Sequence, residues 1–300
     1  MGRIVVFVSL GLVVANLIEA LSWTRQLALV SRPLIRWGRL SDMAGASFSM
    51  AFVSGVAANA MLAEGYAKGE MSRVELVLAN IFNSLPRFFL HLPTVFFLTV
   101  PFIGAGALIY VGLTFSAALL QTLAVVVVGR FFLQGGGSAE AVVPEIEAPG
   151  WRQACERSWQ RLRHRLPRVL RYLVPVYLLF FFLSRYGIFA WLEEIMAGSR
   201  LLGWLPTQAM SIVILYVTTE FSAGLAAASA MLADNSLEMK EVVLALLLGN
   251  FLAAPVRVLR HQLPHYMGIF SPRMALGLVG CSQLSRGLTL LVVGLVYYLL

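Results

Sequence analysis

The sequence has 300 residues, of which 59% are hydrophobic and 13% charged, with a net charge of +8 and a mean hydropathy of +0.80. Several apolar runs exceed the roughly 20 residues that a helix needs to cross a bilayer, which excludes a soluble α/β enzyme with short buried strands. The basic residues lie in connecting segments rather than on one face of a soluble domain, so no nucleic-acid partner is expected. Composition therefore predicts an integral protein of the lipid bilayer, and its spans must be helices because an isolated strand leaves backbone groups unpaired in lipid.

The first half of the chain, residues 1–133, contains four predicted apolar elements, at 3–21, 44–63, 74–91 and 94–133. The first resembles the apolar core of a signal peptide, but no small-residue cleavage site follows it, so we expect a retained helix. An arginine-rich loop follows between Arg25 and Asp42. The fourth element is the longest of the four, and it is either two spans or one kinked span.

Residues 134–170 are predicted to be a cytoplasmic linker. The segment opens with Gln134-Gly-Gly-Gly-Ser, which is typical of a flexible connection. From Trp151 to Arg168 the apolar residues recur at helical spacing and arginines lie largely elsewhere. This pattern predicts an amphipathic helix on the cytoplasmic membrane surface, beside anionic lipid headgroups. The alternative is an arm that binds a partner or a nucleotide.

The second half, residues 171–300, repeats the order of the first, with predicted elements at 172–190, 207–233, 240–255 and 272–300. Matching motifs recur at a nearly constant offset, among them Pro86 with Arg87-x3-His91 and Pro255 with Arg257-x3-His261. The predicted fold is therefore all-α, a polytopic helical membrane protein of two homologous repeats, each with about four or five transmembrane or re-entrant helices. Two spans in 94–133 would make the repeats inverted, and one kinked span would make them parallel. The positive-inside rule favours inverted repeats, because both arginine-rich segments are then cytoplasmic.

The repeated prolines predict a site. Pro86 and Pro255 each remove a backbone hydrogen bond, and a broken helix in a membrane is tolerated where it faces protein or a cavity. Arginine and histidine four residues apart share one helical face, so these residues could bind an anionic or hydrogen-bonding solute. The alternative is that the arginines and histidines lie at the headgroup level. The candidate residues are Asn80, Asn83, Arg87, His91, Asn250, Arg257 and His261.

Arg286 lies inside the last apolar run with Ser282 and Gln283. An arginine at membrane depth costs about 3 kcal/mol unless it faces protein or water. It could bind an anionic solute, or pair with a glutamate and hold helices together. The available glutamates are Glu19, Glu75 and Glu220, and the first and last are also candidates for ion or proton coupling unless they lie at helix ends.

No other chemistry is predicted. The sequence contains no phosphate loop, no nucleophile elbow and no zinc-protease helix, so neither an enzyme nor a cofactor is expected. His261 and His265 are four residues apart, but no thiolate or carboxylate is near them in sequence, so no metal site is predicted. Small-residue faces at Gly55–Ala60 and Gly224–Ala230 are typical of close helix packing, within the chain or in a homo-oligomer; the alternative is a cavity lined by backbone atoms.

The chain resembles the nucleoside-recognition or Gate domain family, which is related to spore maturation proteins and similar to parts of nucleoside and ferrous-iron transporters. The resemblance rests on the small-residue helices and on the apolar helices that end in Asn83-Ser-Leu-Pro86 and Asn250-Phe-Leu-Ala-Ala-Pro255. It covers about 45–133 and 207–300. It implies a transport or gating role in a prokaryotic cytoplasmic membrane, but arginine and histidine after the proline depart from the family, so no substrate is implied. We expect a transporter or permease for a small polar or anionic solute bound between the repeats; the alternative is a non-transporting scaffold.

Overall fold

The computed structural model describes residues 31–133, 205–218 and 220–300, together with Glu156. The described residues form helices and their connections, without a strand, as predicted for an all-α fold. Apart from Glu156, the predicted helices at 3–21, 151–168 and 172–190 lie outside them, as does Glu19. The helices are α1 Ser31–Trp37, α2 Asp42–Ala51, α3 Gly55–Ala67, α4 Arg73–Phe82, α5 Ser84–Ile103, α6 Gly106–Phe132, α7 Ala209–Thr218, α8 Phe221–Ala233, α9 Met239–Leu252, α10 Ala254–Arg257, α11 Leu263–Met267 and α12 Pro272–Leu299, with a π-helical turn Val258–Gln262 between α10 and α11.

Serine caps decide where the early helices begin. The side chains of Ser41, Ser54 and Ser72 accept hydrogen bonds from amides three residues later, at the starts of α2, α3 and α4. A capped start inside an apolar run divides it, because the cap residue is extended rather than helical. The element predicted at 44–63 is therefore two helices. The element at 207–233 is likewise divided into α7 and α8, with the backbone extended at Glu220.

The predicted boundary between residues 91 and 94 is wrong. Helix α5 continues through His91 and Pro93 to Ile103, and the chain turns at Gly104, whose φ of +52° is a conformation that glycine adopts without a Cβ penalty. The long element predicted at 94–133 is thus the end of α5 followed by α6, and the two helices pack against each other. Pro86 and Pro255 lie in the first turns of α5 and α10, where the missing proline N–H costs little.

Three described segments are long and apolar enough to cross a membrane: Arg73–Ile103, Gly106–Phe132 and Pro272–Leu299, with mean hydropathies of 1.4, 2.1 and 1.5. The first consists of α4 and α5 joined at a kink. Both α6 and α12 expose large apolar side chains along one side, as a lipid-facing helix would. These features fit a helical membrane protein.

The long helices α6 and α12 join two hydrophobic cores. The first core contains residues from α1 to α4, the end of α6 and the beginning of α12. The second contains residues from α7 to α9, the beginning of α6 and the end of α12. The two helices are therefore antiparallel, and near their centres Nε2 of Gln121 donates to the carbonyl of Ser282 at 3.4 Å.

Candidate functional site

The helix kinks free backbone carbonyls, and arginine side chains bind them. At the first kink, Asn83 N donates to Ala79 O and Arg87 N donates to Asn83 O, while the Asn80 carbonyl accepts Nη2 of Arg87 at 2.6 Å. At the second kink, the Asn250 carbonyl accepts Nη2 of Arg257, also at 2.6 Å. A buried carbonyl without a partner would be costly, so each arginine stabilises the kink that precedes it.

Arg87 is held by protein atoms at all three of its nitrogens. Besides Nη2, its Nε donates to the carbonyl of Asn83 at 3.0 Å and its Nη1 to the hydroxyl of Tyr266 at 3.3 Å. Nδ2 of the fully buried Asn80 donates to the same hydroxyl and to Oδ1 of Asn59, each at 3.0 Å. This cluster joins α3, α4, α5 and α11.

At the second kink, two arginines meet at one amide. Nη2 of Arg257 donates to Oδ1 of Asn250 at 2.8 Å, and Nη2 of Arg286 donates to the same oxygen at 3.0 Å. Nδ2 of Asn250 donates to the hydroxyl of Tyr110 at 3.2 Å. The Arg257 side chain also lies beside Tyr216, with Nη1 3.5 Å from its hydroxyl and Cζ 6.0 Å from its ring centroid. We call these five residues the Arg286 site.

Aromatic rings enclose one side of the Arg286 site. The rings of Tyr110 and Phe221 are stacked, with centroids 5.6 Å apart and an angle of 22°, and Tyr216 lies 5.3 Å from Phe221. Both tyrosines are buried. Rings that exclude water from this side strengthen electrostatic interactions within the site.

The site has a local excess of positive charge. Among the described residues, neither Arg257 nor Arg286 forms an ion pair with a carboxylate. Arg257 and Arg286 share one oxygen of Asn250, so their guanidinium groups are close enough to repel each other. An anion would relieve the repulsion between two cations that share one neutral amide oxygen.

The other predicted residues are not among the five of the Arg286 site. The histidines His91 and His261 are exposed, whereas the arginines four residues before them turn inward. Nδ2 of Asn83 donates to Oγ of Ser47 at 2.8 Å. Gln283 donates from Nε2 to Oε1 of Gln262 at 2.6 Å and so joins α12 to the π-helical turn.

The glutamates among the described residues lie elsewhere. Glu220 is exposed at the N-cap of α8 without a side-chain capping bond, and Oε1 of Glu75 accepts the amide of Ser41 at 2.7 Å. Neither is the ion-pair partner of Arg286. Glu19 lies outside the described residues.

Sequence reasoning missed four residues of the two clusters: Asn59, Tyr110, Tyr216 and Tyr266. The tyrosines lie in apolar runs, where a tyrosine is an ordinary core residue, and their hydroxyls meet asparagine or arginine only through tertiary packing. Asn59 had a local signal, because a polar amide in a small-residue helix needs a buried partner.

Three proteins of Methanocaldococcus jannaschii are similar to this chain over most of its length. Uncharacterized protein MJ0871 is 24% identical over 280 residues, which are 92% of this chain and 86% of that protein. Uncharacterized protein MJ1556 is 22% identical over 92% of this chain and 88% of its own length. Uncharacterized protein MJ0880 is 22% identical over 89% of this chain and 88% of its own length. No family model and no solved structure matches the chain. The similarity includes both halves of the chain.

Proposed function

We propose that this protein is an integral membrane transporter, or permease-like protein, for a small polar or anionic solute, and that the solute binds between two homologous, inverted repeats. The observation on which the proposal rests is the convergence of Arg257 and Arg286 on Asn250 without a carboxylate among the described residues. Arg286 lies near the middle of α12, counted from Pro272. It is therefore about 20 Å from either end of an apolar helix. At that depth, an arginine without an anionic partner or water costs free energy that a purely structural role does not require.

The helix breaks support a polar site inside the protein. The residues at the breaks are buried: Phe52 is 2% exposed, Asn83 1% and Ala253 4%. The described buried side-chain atoms that lack a hydrogen-bond partner, on Ser49, Asn83, Ser84 and Ser222, all lie within three residues of a break, at Phe52, Asn83 or Glu220. Broken helices inside a membrane protein are found where they line a binding site or a cavity.

The proposal of inverted repeats is supported by two relationships. The asparagine-to-arginine contacts of 2.6 Å occur at matching positions of the two halves, at Asn80–Arg87 and Asn250–Arg257. The long helices that end the two halves, α6 and α12, are antiparallel and each contributes to both cores. A two-fold axis in the membrane plane relates inverted repeats, and substrate sites of such proteins lie near that axis.

We place the protein in the cytoplasmic membrane of a prokaryote, with residues 134–170 in the cytoplasm. The arginine-rich segment from Arg152 to Arg171 supports this orientation by the positive-inside rule. Its arginines would then contact anionic headgroups.

Reconstitution tests the function. The full chain is incorporated into proteoliposomes, and uptake of labelled small anions and neutral polar solutes is measured for the wild type, Arg286→Gln and Arg273→Gln. Arg273 is exposed on the same helix and serves as the matched control. We expect uptake that Arg286→Gln abolishes and Arg273→Gln retains.

Two results would contradict the proposal. Absence of uptake for every solute by folded protein would favour the non-transporting scaffold. Uptake that is equal in the wild type and in Arg286→Gln would remove the Arg286 site from the transport pathway.

A further inference from the structure

The three arginines near the kinks differ in how many of their donors are used. A guanidinium has five N–H donors on three nitrogens. Arg87 uses all three nitrogens and Arg257 uses two, with Tyr216 and Asn250 as the partners of Arg257. Among the described residues, Arg286 makes one side-chain hydrogen bond, from Nη2 to Asn250. No described residue accepts from its Nε or Nη1.

The same three arginines also differ in what they bind. Arg87 and Arg257 each bind the carbonyl freed by the preceding kink, which is a structural task. Arg286 binds no freed carbonyl. Where the two halves of the sequence correspond, its place in the first half is taken by Phe115, whose ring contacts Phe88 and Phe89 at centroid distances of 5.6 and 5.7 Å. The first half thus has an apolar cluster where the second half has a cation.

We propose that Arg286 binds an oxyanion, a carboxylate or a phosphate, through its guanidinium donors that no described residue uses, and that Arg257 neutralises part of the same charge. The oxyanion is the anionic group of the transported solute, so the inference rests on the proposed function. The second N–H of Nη2 runs parallel to the N–H of either Nη1 or Nε, and such a pair matches two oxygens of an oxyanion, whereas a halide can use only one point of contact. Asn250 is the positioning residue, because its Oδ1 holds both guanidinium groups at the site.

The source of the oxyanion is a free solute rather than a lipid. Arg286 lies about 20 Å from either end of α12, far below the headgroup level at which lipid phosphates are found.

Binding to the full chain in nanodiscs of neutral phosphatidylcholine tests the inference. Acetate and inorganic phosphate are titrated in the millimolar range by calorimetry, with acetamide as the uncharged analogue of acetate and chloride as the halide. We expect binding of acetate or phosphate and none of acetamide or chloride. Arg286→Gln should weaken binding at least about tenfold, Arg286→Lys should weaken it less, and the exposed control Arg273→Gln should stay within about twofold of the wild type.

Folding is controlled by circular dichroism and thermal unfolding of each variant. The inference is overturned if folded wild-type protein binds neither oxyanion, or if Arg286→Gln binds as the wild type does. Weaker phosphate binding in nanodiscs of phosphatidylglycerol at high ionic strength, where the charge of the membrane surface is screened, would overturn the assignment to a free solute, because the lipid phosphate would then compete.

The inference and the proposed function fail in different ways. Oxyanion binding that depends on Arg286 but leads to no uptake in proteoliposomes would refute transport and support the oxyanion site. Solute uptake that neither acetate nor phosphate inhibits, and that Arg286→Gln leaves unchanged, would refute the oxyanion site and show transport by a route that does not use the Arg286 site.

Discussion

Arg257 and Arg286 donate to the same atom, Oδ1 of Asn250, at 2.8 and 3.0 Å. A neutral amide oxygen is a weak partner for two cations, and no carboxylate among the described residues pairs with either arginine. Among the described residues, this point therefore carries an excess of positive charge, and substitutions of Asn250 should reveal the free-energy cost of that excess.

Asn250→Asp should stabilise the protein and impair its function. The new carboxylate would accept hydrogen bonds from both arginines, and charged bonds of this kind are worth more than neutral ones, so we expect a gain of about 1 kcal/mol in unfolding free energy. It would also occupy the arginines, so oxyanion binding should weaken about tenfold or more. Thermal unfolding and calorimetry in nanodiscs measure the two effects.

The matched control is Asn80→Asp at the first kink. There an aspartate loses the Nδ2 donor that binds Asn59 and Tyr266, and the amide oxygen of Asn59 cannot donate in return, so this variant should lose about 1–3 kcal/mol. At Asn250 the partner of Nδ2 is the hydroxyl of Tyr110, which can turn and donate to the new carboxylate. A similar loss of unfolding free energy in Asn250→Asp would contradict the excess of positive charge at the Arg286 site.

Tyr266→Phe should destabilise the first cluster. The substitution removes a buried hydroxyl that accepts hydrogen bonds from Asn80 and Arg87, which are distant from it in sequence. Leaving these donors unpaired should cost about 1–3 kcal/mol. Tyr66→Phe is the control, because Tyr66 is only half-buried. Equal melting temperatures for the two variants would mean that the hydroxyl of Tyr266 contributes nothing.

Gly129→Ala and Gly112→Ala, both in α6, should change the free energy of unfolding in opposite directions. A Cβ at Gly129 would collide with the carbonyl oxygen of Gly38, where α6 approaches the turn after α1, so the variant should lose about 1–3 kcal/mol. A Cβ at Gly112 meets nothing within 4 Å, and alanine favours the helix by up to about 1 kcal/mol. Thermal unfolding distinguishes them, and equal destabilisation would contradict the close approach at Gly38.

Inverted repeats predict opposite accessibility for two corresponding turns. Glu70 lies in the turn between α3 and α4, and Ser236 in the turn between α8 and α9; both are exposed. In a background that lacks Cys155 and Cys281, single cysteines at these positions are treated with a membrane-impermeant maleimide in oriented vesicles. We expect one to react from each side of the membrane. Reaction of both from the same side would establish parallel repeats instead.

Sequence reasoning located the polar residues of the kinks more reliably than the helix ends around them. Asn80, Asn83, Arg87, Asn250, Arg257 and Arg286 stood out because a polar or charged group in an apolar run needs a partner. The end of α5 at Ile103 was missed because Pro93 resembles a helix terminator, whereas the actual turn uses the positive φ of Gly104. The tyrosines of both clusters were missed because nothing near them in sequence distinguishes them from core residues.

Local composition and spacing were enough to predict that the described chain is helical and apolar enough to span a membrane, since both properties depend on neighbouring residues. They also singled out Arg286 as a charge in an apolar helix. The folded chain was needed to show that Arg87 and Arg257 turn toward freed carbonyls while His91 and His261 stay exposed. It was also needed to bring Arg257 and Arg286 to one oxygen of Asn250, because contacts between distant helices depend on packing that no local pattern encodes.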